Sequence, residues 1–254
     1  MSEIHIVRHA ESMQNAQQVQ AESEFPYCTL NPLTEQGKEQ AVKTGISLRR
    51  SLQNIPSSSI LLFASPHLRT MQTAEIIRQQ LNKGRAQEDH ITSLTPDPLL
   101  IEQKWGILEP EYRNEAIIAS LYEAYKGIWH DAASYMNQPI LPEGAVTEDV
   151  RKIAQDVGLP EHEIRGESGI DVTRRLKSFL SDHQAELDNP DTHMIIVTSR
   201  GPVLMSRIAL GRENPDELAG KITRRNIEVP NASITTYSRS GWKLDEWASR
   251  EKAV

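Results

Sequence analysis

Residues 4–15 read Ile-His-Ile-Val-Arg-His-Ala-Glu-Ser-Met-Gln-Asn, a short apolar strand that ends in an arginine and a histidine. The apolar residues predict a buried strand, and the polar residues begin at Arg8 and His9. In sheets built of parallel strands, ligand pockets form where a strand ends and the next loop begins. The stretch therefore predicts that Arg8 and His9 lie at the edge of a sheet where a ligand binds.

Two further apolar runs lead to charged residues in the same way. Residues 60–64 (Ile-Leu-Leu-Phe-Ala) precede a helix that carries Arg69, and residues 194–197 (Met-Ile-Ile-Val) precede Arg200 and Gly201. Fully apolar runs of this length are typical of strands that are covered on both faces. A weaker strand signal precedes Glu102. Three arginines, one histidine and one carboxylate are therefore predicted to meet at one sheet edge.

Strands alternate with helices along most of the chain, and the helices are predicted at about 34–52, 69–81, 168–187 and 200–210. Two closing strands, at 233–237 and 242–247, are predicted to form a hairpin around Gly241. This order predicts an α/β fold, a three-layer α/β/α sandwich with a mainly parallel central sheet. We expect one domain over residues 1–254. Residues 106–165 would form a helical cap, with helices at 111–136 and near residue 150.

Composition narrows the class of protein and of partner. The formal net charge of −7 argues against nucleic acid and anionic membranes as partners. Cys28 is the only cysteine, which excludes an intramolecular disulfide and a multi-cysteine metal site. No apolar run approaches the length of a membrane span, and the strand at Glu3 leaves no room for a leader peptide. We expect a cytoplasmic protein that binds a small anionic molecule, a phosphate ester or a carboxylate.

The residue types at the predicted edge suit chemistry on such an anion. Arginine binds phosphate or carboxylate oxygens through two parallel hydrogen bonds. Histidine attacks phosphorus or moves a proton near neutral pH, and a carboxylate such as Glu102 can protonate a leaving oxygen. His67 and Trp105 either border the pocket or are ordinary packed residues. Glu167 and Ser168 are expected to cap the helix that follows them.

The remaining histidines, His5, His130 and His193 among them, show no spacing that suggests a metal site. The sequence therefore predicts neither a metal nor a cofactor.

Five motifs in this chain resemble the landmarks of a known family. Residues 7–15 match RH(G/A)xxxxN, residues 33–41 match LTxxGxxQA, and residues 65–74 match SPxxRxxQTA. Residues 100–106 match L-x-E…G, and residues 166–168 are Gly-Glu-Ser. Together and in this order they resemble the phosphoglycerate-mutase-like branch of the histidine phosphatase superfamily. The resemblance covers the chain outside 106–165 and about the last forty residues.

The resemblance implies a metal-independent phosphomonoester hydrolase in which His9 becomes a transient phosphohistidine. Glu102 would be the proton donor. Fixed positive charges and hydrogen-bond donors would stabilise the charge that develops on the phosphoryl oxygens. The groups implied for that role are Arg8, Ser12, Asn15, Arg69 and Gly201.

The chain departs from the family at the last landmark. There the family has Ser/Thr-His-Gly, whose histidine is the second of the catalytic pair, whereas this chain has Ser199-Arg200-Gly201. Arginine can hold a phosphoryl oxygen but cannot give or take a proton near neutral pH. Three hypotheses stay open: a hydrolase acting through phospho-His9, a repurposed isomerase, lyase or cyclase acting on a carboxylate or enolate, and a non-catalytic binder. A mutase is disfavoured because Gln14 stands where mutases of the family carry tryptophan.

Overall fold

The computed structural model describes residues 2–16, 31–108, 121, 136–141, 143–223, 228–238 and 243–249. Its strands are β1 (Glu3–Arg8), β2 (Ile60–Ala64), β3 (Thr95–Pro96), β4 (His193–Thr198), β5 (Ile234–Ser238) and β6 (Lys243–Ser249). Its helices are α1 (Met13–Ala16), α2 (Glu35–Leu52), α3 (Leu68–Asn82), α4 (Glu148–Asp156), α5 (Gly169–Asp182), α6 (Gln184–Asp188), α7 (Arg200–Ala209) and α8 (Pro215–Thr223).

The six strands form one sheet in the order β3-β2-β4-β1-β5-β6. The first four strands in this order run parallel to one another, and β5 and β6 are antiparallel to their neighbours. The carboxyl ends of β1, β2 and β4 therefore meet at one edge, as predicted. Strands β5 and β6 form the predicted hairpin, although Gly241 lies outside the described residues. None of the described helices is both long and apolar enough to cross a membrane.

The sheet is covered by helices on both faces. Alternate residues of a strand point to opposite faces, so β1 sends Ile4 and Ile6 to one side and Val7 to the other. On the first side they pack with apolar residues of α5, α7 and α8. On the second side Val7 packs with residues of α2 and α3, such as Leu48 and Ile77. The predicted three-layer α/β/α sandwich with a mainly parallel sheet is confirmed.

Two helices begin directly after a residue whose side chain caps the first turn. Thr34 caps α2 by accepting a hydrogen bond from Gly37 N, and Ser168 caps α5. The Ser168 side chain accepts from Asp171 N while the Asp171 carboxylate accepts from Ser168 N, which is a complete capping box. The helix predicted over 168–187 is divided at His183 into α5 and α6. Helix α8 was not predicted.

The predicted third strand is shorter and earlier than the sequence suggested. Strand β3 has two residues, Thr95 and Pro96, and pairs with the end of β2. Pro96 has no N–H to donate to a ladder, which suits an edge strand. A 3₁₀ turn (Pro98–Leu100) then separates β3 from Glu102. The strand therefore does not end at Glu102, and the position of this residue must be set by other contacts.

The segment predicted as a cap leaves and rejoins the sandwich at two glycines. Gly106 and Gly166 have φ of 63° and 72°, values that favour glycine. A Cβ on Gly106 would lie 2.5 Å from Gly166 N, and a Cβ on Gly166 would lie 2.6 Å from Lys104 O. Ile107 N donates to Ile164 O at 3.0 Å beside them. We call this close contact of the two backbone ends the glycine neck.

The described residues between the two glycines have an apolar cluster of their own, built from residues such as Ile107, Leu141, Val150 and Ile164. Helix α4 matches the short helix predicted near residue 150. The helix predicted at 111–136 lies almost entirely outside the described residues. That the whole chain is one domain with this segment as a cap stays a prediction.

Candidate functional site

His9 lies directly after β1, inside the carboxyl edge of the sheet. Its backbone N–H donates to Thr198 O at 2.8 Å, and the residue is only 4% exposed. Its ring Nδ1 lies 2.8 Å from Ala10 O. A carbonyl oxygen only accepts, so Nδ1 carries a hydrogen, and in the neutral ring Nε2 then holds the lone pair. His9 therefore presents Nε2 as a nucleophile or base.

Arg69 faces that lone pair. Its Nε donates to His9 Nε2 at 3.3 Å, and the residue is 3% exposed. Burial of His9, followed by the positive charges of Arg69 and Arg8, lowers the pKa of His9 well below its ordinary value. The imidazole is therefore neutral at neutral pH and able to attack an electrophile.

His67 lies on the other side of the Arg69 guanidinium. Arg69 Nη2 is 3.3 Å from His67 Nδ1, and because arginine only donates, this nitrogen accepts. Burial and the charge of Arg69 lower the pKa of His67 to about 4. The predicted pocket residues His9 and Arg69 and the possible border residue His67 are thus brought together, with one cation between two neutral imidazoles.

Two uncharged residues of the sequence motifs, Thr73 and Gln40, hold the loop that follows His9 in place. Thr73 Oγ1 accepts from Ala10 N at 3.1 Å and donates to Arg69 O at 2.7 Å. The side-chain oxygen of Gln40 accepts from Glu11 N at 3.0 Å. These hydrogen bonds connect α2 and α3 to the loop between β1 and α1. They explain physically why the motifs contain these polar residues.

Ser12 and Asn15 bind each other at the start of α1. The Ser12 hydroxyl donates to Asn15 Oδ1 at 3.1 Å and accepts from Asn31 Nδ2 at 3.2 Å. Asn231 Nδ2 donates to the same Asn15 oxygen at 2.8 Å. The two predicted phosphate-binding residues thus shape the first loop. No motif in the sequence marks Asn31 or Asn231, because both lie outside the five landmarks.

Arg8 is held by the chain segment before β5. Its Nη1 donates to Val229 O at 2.5 Å. Ala232 N lies 3.1 Å from both Arg8 O and His9 O, and Ala232 adopts a left-handed φ of 60°. This turn supports the backbone of the Arg-His pair. It is a part of the site that the sequence does not reveal.

Glu102 lies at the N-terminus of α7. Its Oε1 accepts from Gly201 N and from Gln103 N, both at 3.0 Å. The N-terminus of a helix favours a negative group. A Cβ on residue 201 would lie 2.3 Å from this oxygen, so Gly201 leaves room for the carboxylate. The N–H of Gly201, predicted to bind phosphate, is engaged by Glu102.

Arg200 is the first residue of α7 and directly follows the end of β4 through Ser199. It lies two residues beyond Thr198, whose carbonyl binds the His9 backbone. The side chain is half-buried. Within the described part of the chain, no hydrogen bond or ion pair engages its guanidinium. By its place in the chain, Arg200 follows β4 at the same sheet edge at which His9 follows β1.

The loop that carries Glu102 is anchored by an ion pair between Arg175 and Glu167. Arg175 donates to Glu167 at 2.7 and 2.8 Å, and its guanidinium also lies 3.3 Å from Ile101 O and Glu102 O. Glu167 also accepts from Lys104 N at 2.9 Å. The expectation that Glu167 caps α5 was therefore wrong, because its carboxylate is bound to Arg175 and Lys104. Ser168 alone is the cap.

Trp105 packs against the apolar cluster of the segment between the glycines. The other aromatic residues of that segment, Tyr112, Tyr122, Tyr125, Trp129 and Tyr135, lie outside the described residues, as does His130.

Comparison with known proteins agrees with this geometry. Residues 4–158 match the family described as the histidine phosphatase superfamily (branch 1), which covers more than half of the chain. No curated protein matches the sequence.

Among solved structures, a mycobacterial glucosyl-3-phosphoglycerate phosphatase in complex with VO3 matches with a TM-score of 0.63 and 19% identity, over 97% of this chain and 98% of its own. A phosphoglycerate mutase from Bacillus anthracis matches with a TM-score of 0.58 and 15% identity, over 97% and 92% of the two chains. A phosphoserine phosphatase from Entamoeba histolytica, in complex with 3-phosphoglyceric acid, matches with a TM-score of 0.57 and 16% identity, over 99% and 98%.

Because these solved structures are less than 20% identical to this chain, their likeness supports the fold alone. The family match is separate, and the residues it covers include His9, Arg69 and Glu102. The chain belongs to branch 1 of the histidine phosphatase superfamily.

Proposed function

We propose that this protein hydrolyses phosphate monoesters of small molecules, without a metal, through a phosphohistidine on His9. The observation that carries the proposal is the state of His9 Nε2. This nitrogen holds a lone pair because Nδ1 donates to Ala10 O, and it faces the Arg69 guanidinium. A buried neutral imidazole next to a fixed cation is suited to attack a bound phosphoryl group.

In the first step, His9 Nε2 bonds to phosphorus while the bond from phosphorus to the ester oxygen breaks. Arg8, Arg69 and Arg200 would bind the phosphoryl oxygens, whose negative charge grows in the transition state. Glu102 would give its proton to the departing oxygen. Its Oε1 accepts two backbone hydrogen bonds, which leaves Oε2 as the oxygen for proton transfer.

In the second step, water attacks phosphorus and the bond to His9 Nε2 breaks, releasing inorganic phosphate. Glu102, now ionised, takes the proton from that water, so both steps balance with a single carboxyl group. Arginine at position 200 is compatible with this scheme, because the proton transfers are assigned to Glu102 and not to the second histidine of the family.

Labelling tests the proposal directly. The protein is incubated with a radiolabelled aryl phosphate and quenched at alkaline pH, since phosphohistidine is labile in acid. We expect the label on His9, and His9→Gln should lower kcat/KM by about 10⁴-fold or more because the nucleophile is lost. The matched control is His162→Gln, since the His162 side chain is 81% exposed and lies outside the site. Absence of both label and turnover across aryl and alkyl phosphates would reject the proposal.

Arg200 favours a second candidate, a repurposed isomerase, lyase or cyclase that acts on a carboxylate or enolate. Arginine binds carboxylates as readily as phosphates. For such an enzyme, His9→Gln would abolish conversion of a non-phosphorylated carboxylate while the wild type forms no phosphohistidine. A non-catalytic binder would instead be stabilised against heat by phosphate or carboxylate without any turnover.

A further inference from the structure

Glu3, His5 and His193 lie together where β1 and β4 begin, at the sheet edge opposite to His9. Strands β1 and β4 are parallel neighbours, and Glu3 pairs with His193 in their register. Because side chains alternate along a strand, Glu3 and His5 point to the same face as His193. We call these three residues the amino-edge cluster.

The three side chains converge on one point. Glu3 Oε2 lies 3.2 Å from His5 Nε2 and 3.5 Å from His193 Nδ1. One ligand atom of each residue lies within 4.8 Å of a ligand atom of the other two. The imidazole rings are stacked with a centroid distance of 6.3 Å and an interplanar angle of 12°. One carboxylate oxygen and two ring nitrogens thus surround a common space.

The two ring nitrogens are buried without a hydrogen bond. His5 and His193 are 3% and 5% exposed, and within the described residues neither His5 Nε2 nor His193 Nδ1 has a hydrogen-bond partner of normal geometry. Most buried polar atoms in proteins have such a partner. Two unsatisfied nitrogens directed at the same carboxylate are what a shared ligand would explain.

We propose that the amino-edge cluster binds a divalent transition-metal ion of the zinc type. Imidazole nitrogen and carboxylate oxygen are the donors that zinc takes in proteins, at about 2.0–2.2 Å. Tetrahedral geometry at that radius separates ligand atoms by about 3.3 Å, close to the two distances to Glu3. The Glu3 side chain is 34% exposed, so water can reach a fourth position.

Neighbouring contacts prepare the histidines as ligands. His5 Nδ1 lies 3.1 Å from Thr236 Oγ1 on β5. A histidine that donates through one ring nitrogen offers the other to a metal, and the partner fixes the ring orientation.

A bound ion would join β1 to β4 at the edge where these strands start. The histidines at positions 5 and 193 are far apart in the sequence, and only strand pairing brings them together. This explains why spacing along the chain predicted no metal site. The cluster has no part in the phosphoryl chemistry proposed for the opposite edge, so its occupancy should change stability and leave turnover intact.

Zinc titration tests the site. The chain of residues 1–254, stripped with a chelator, is titrated with Zn²⁺ against a chromophoric chelator, and thermal unfolding is followed in parallel. We expect one zinc per chain and a rise in Tm of about 5–10 °C at a zinc concentration 100 times the Kd. Co²⁺ bound in place of zinc should give the visible absorption of a tetrahedral site.

Variants locate the binding. Replacing a ligand, by His193→Gln or Glu3→Gln, should weaken zinc binding more than about a hundredfold. Thr236→Val should weaken it about tenfold, since it removes only the group that orients His5. The control is His162→Gln, because His162 lies 3.9 Å from a single carboxylate, that of Glu163, and belongs to no cluster.

Absence of stoichiometric zinc binding would overturn the proposal, and so would wild-type affinity in both ligand variants. Equal loss of affinity in His162→Gln would do the same. Circular dichroism shows whether His193→Gln folds. If it does not, Glu3→Gln decides the question, because Glu3 lies partly at the surface.

Discussion

The two edges of the sheet carry histidines with opposite surroundings. At the carboxyl edge, the Nε2 atom of His9 faces the cation Arg69, with Arg8 nearby. At the amino edge, His5 and His193 face the anion Glu3. In both places the histidines are buried. The charge beside the ring therefore decides the chemistry: a cation prepares a site for anions, and a carboxylate prepares a site for cations.

Removing the cation at the carboxyl edge should have the largest effect. Arg69→Gln should lower kcat/KM for an aryl phosphate by about 10³-fold, because a fixed charge on the phosphoryl oxygens is lost. The pKa of His9 should rise, because the Arg69 charge lowers that pKa more than any other charge does, second only to burial. His9 must be unprotonated to attack, so the acid limb of the pH profile of kcat/KM should move to higher pH.

The control for this variant is Arg174→Gln, since Arg174 is 70% exposed and pairs with Asp171 on the surface. Zinc affinity at the amino edge should be the same in both variants. An unchanged acid limb in Arg69→Gln would show that Arg69 does not set the protonation of His9.

The charge of Arg200 should have the next largest effect. Arg200→Ala should lower kcat/KM by about 10²-fold, because one donor to the phosphoryl group is removed. Arg200→His should keep more activity than Arg200→Ala, since imidazole also donates a hydrogen bond. Steady-state kinetics on the same aryl phosphate measures both. If Arg200→Ala has wild-type activity, the Arg200 guanidinium does not contact the substrate. Binding of the phosphoryl oxygens would then depend on Arg8 and Arg69 alone.

The smallest expected effect is a change in the free energy of unfolding that comes from the protonation of His67. The pKa of His67 is about 4 in the folded protein, below its ordinary value of 6.5. The unfolded chain therefore binds more protons between these two values, and the free energy of unfolding should fall as the pH decreases from 6.5 to 4. His67→Gln should remove part of that fall, on the order of 2 kcal/mol.

Urea unfolding of wild type and variant at several pH values measures this difference. His162→Gln is again the matched control, because its side chain is exposed. A His67→Gln variant with the wild-type pH dependence would mean that His67 is as easily protonated in the folded protein as in the unfolded chain.

Much of the carboxyl edge could be predicted from the sequence because its residues lie in short local patterns. Apolar runs predicted β1, β2 and β4, and in parallel strands the residue after each run must lie at the same edge. The apolar runs alone are therefore enough to place His9 and Arg200 at one edge. Capping chemistry likewise gave the starts of α2 and α5 at Thr34 and Ser168.

The parts that were not predicted depend on contacts between distant segments. Strand β3 is too short to show a periodicity, so the position of Glu102 follows from Gly201 N and from the Arg175 guanidinium. The amino-edge cluster depends on the pairing of β1 with β4. Asn231 binds Asn15 from the far end of the chain. No local sequence pattern predicts contacts between segments that are so far apart in the chain.

The glycine neck has a consequence for how this fold can change. Because Gly106 and Gly166 are in backbone contact, the intervening chain is a closed loop whose ends are fixed by two residues. A side chain at either glycine would force these ends apart, because a Cβ would lie 2.5 Å from Gly166 N or 2.6 Å from Lys104 O. The segment is also attached to the sandwich by Met136, which is fully buried in the main core cluster. Any change to the segment must therefore keep both glycines and this apolar contact.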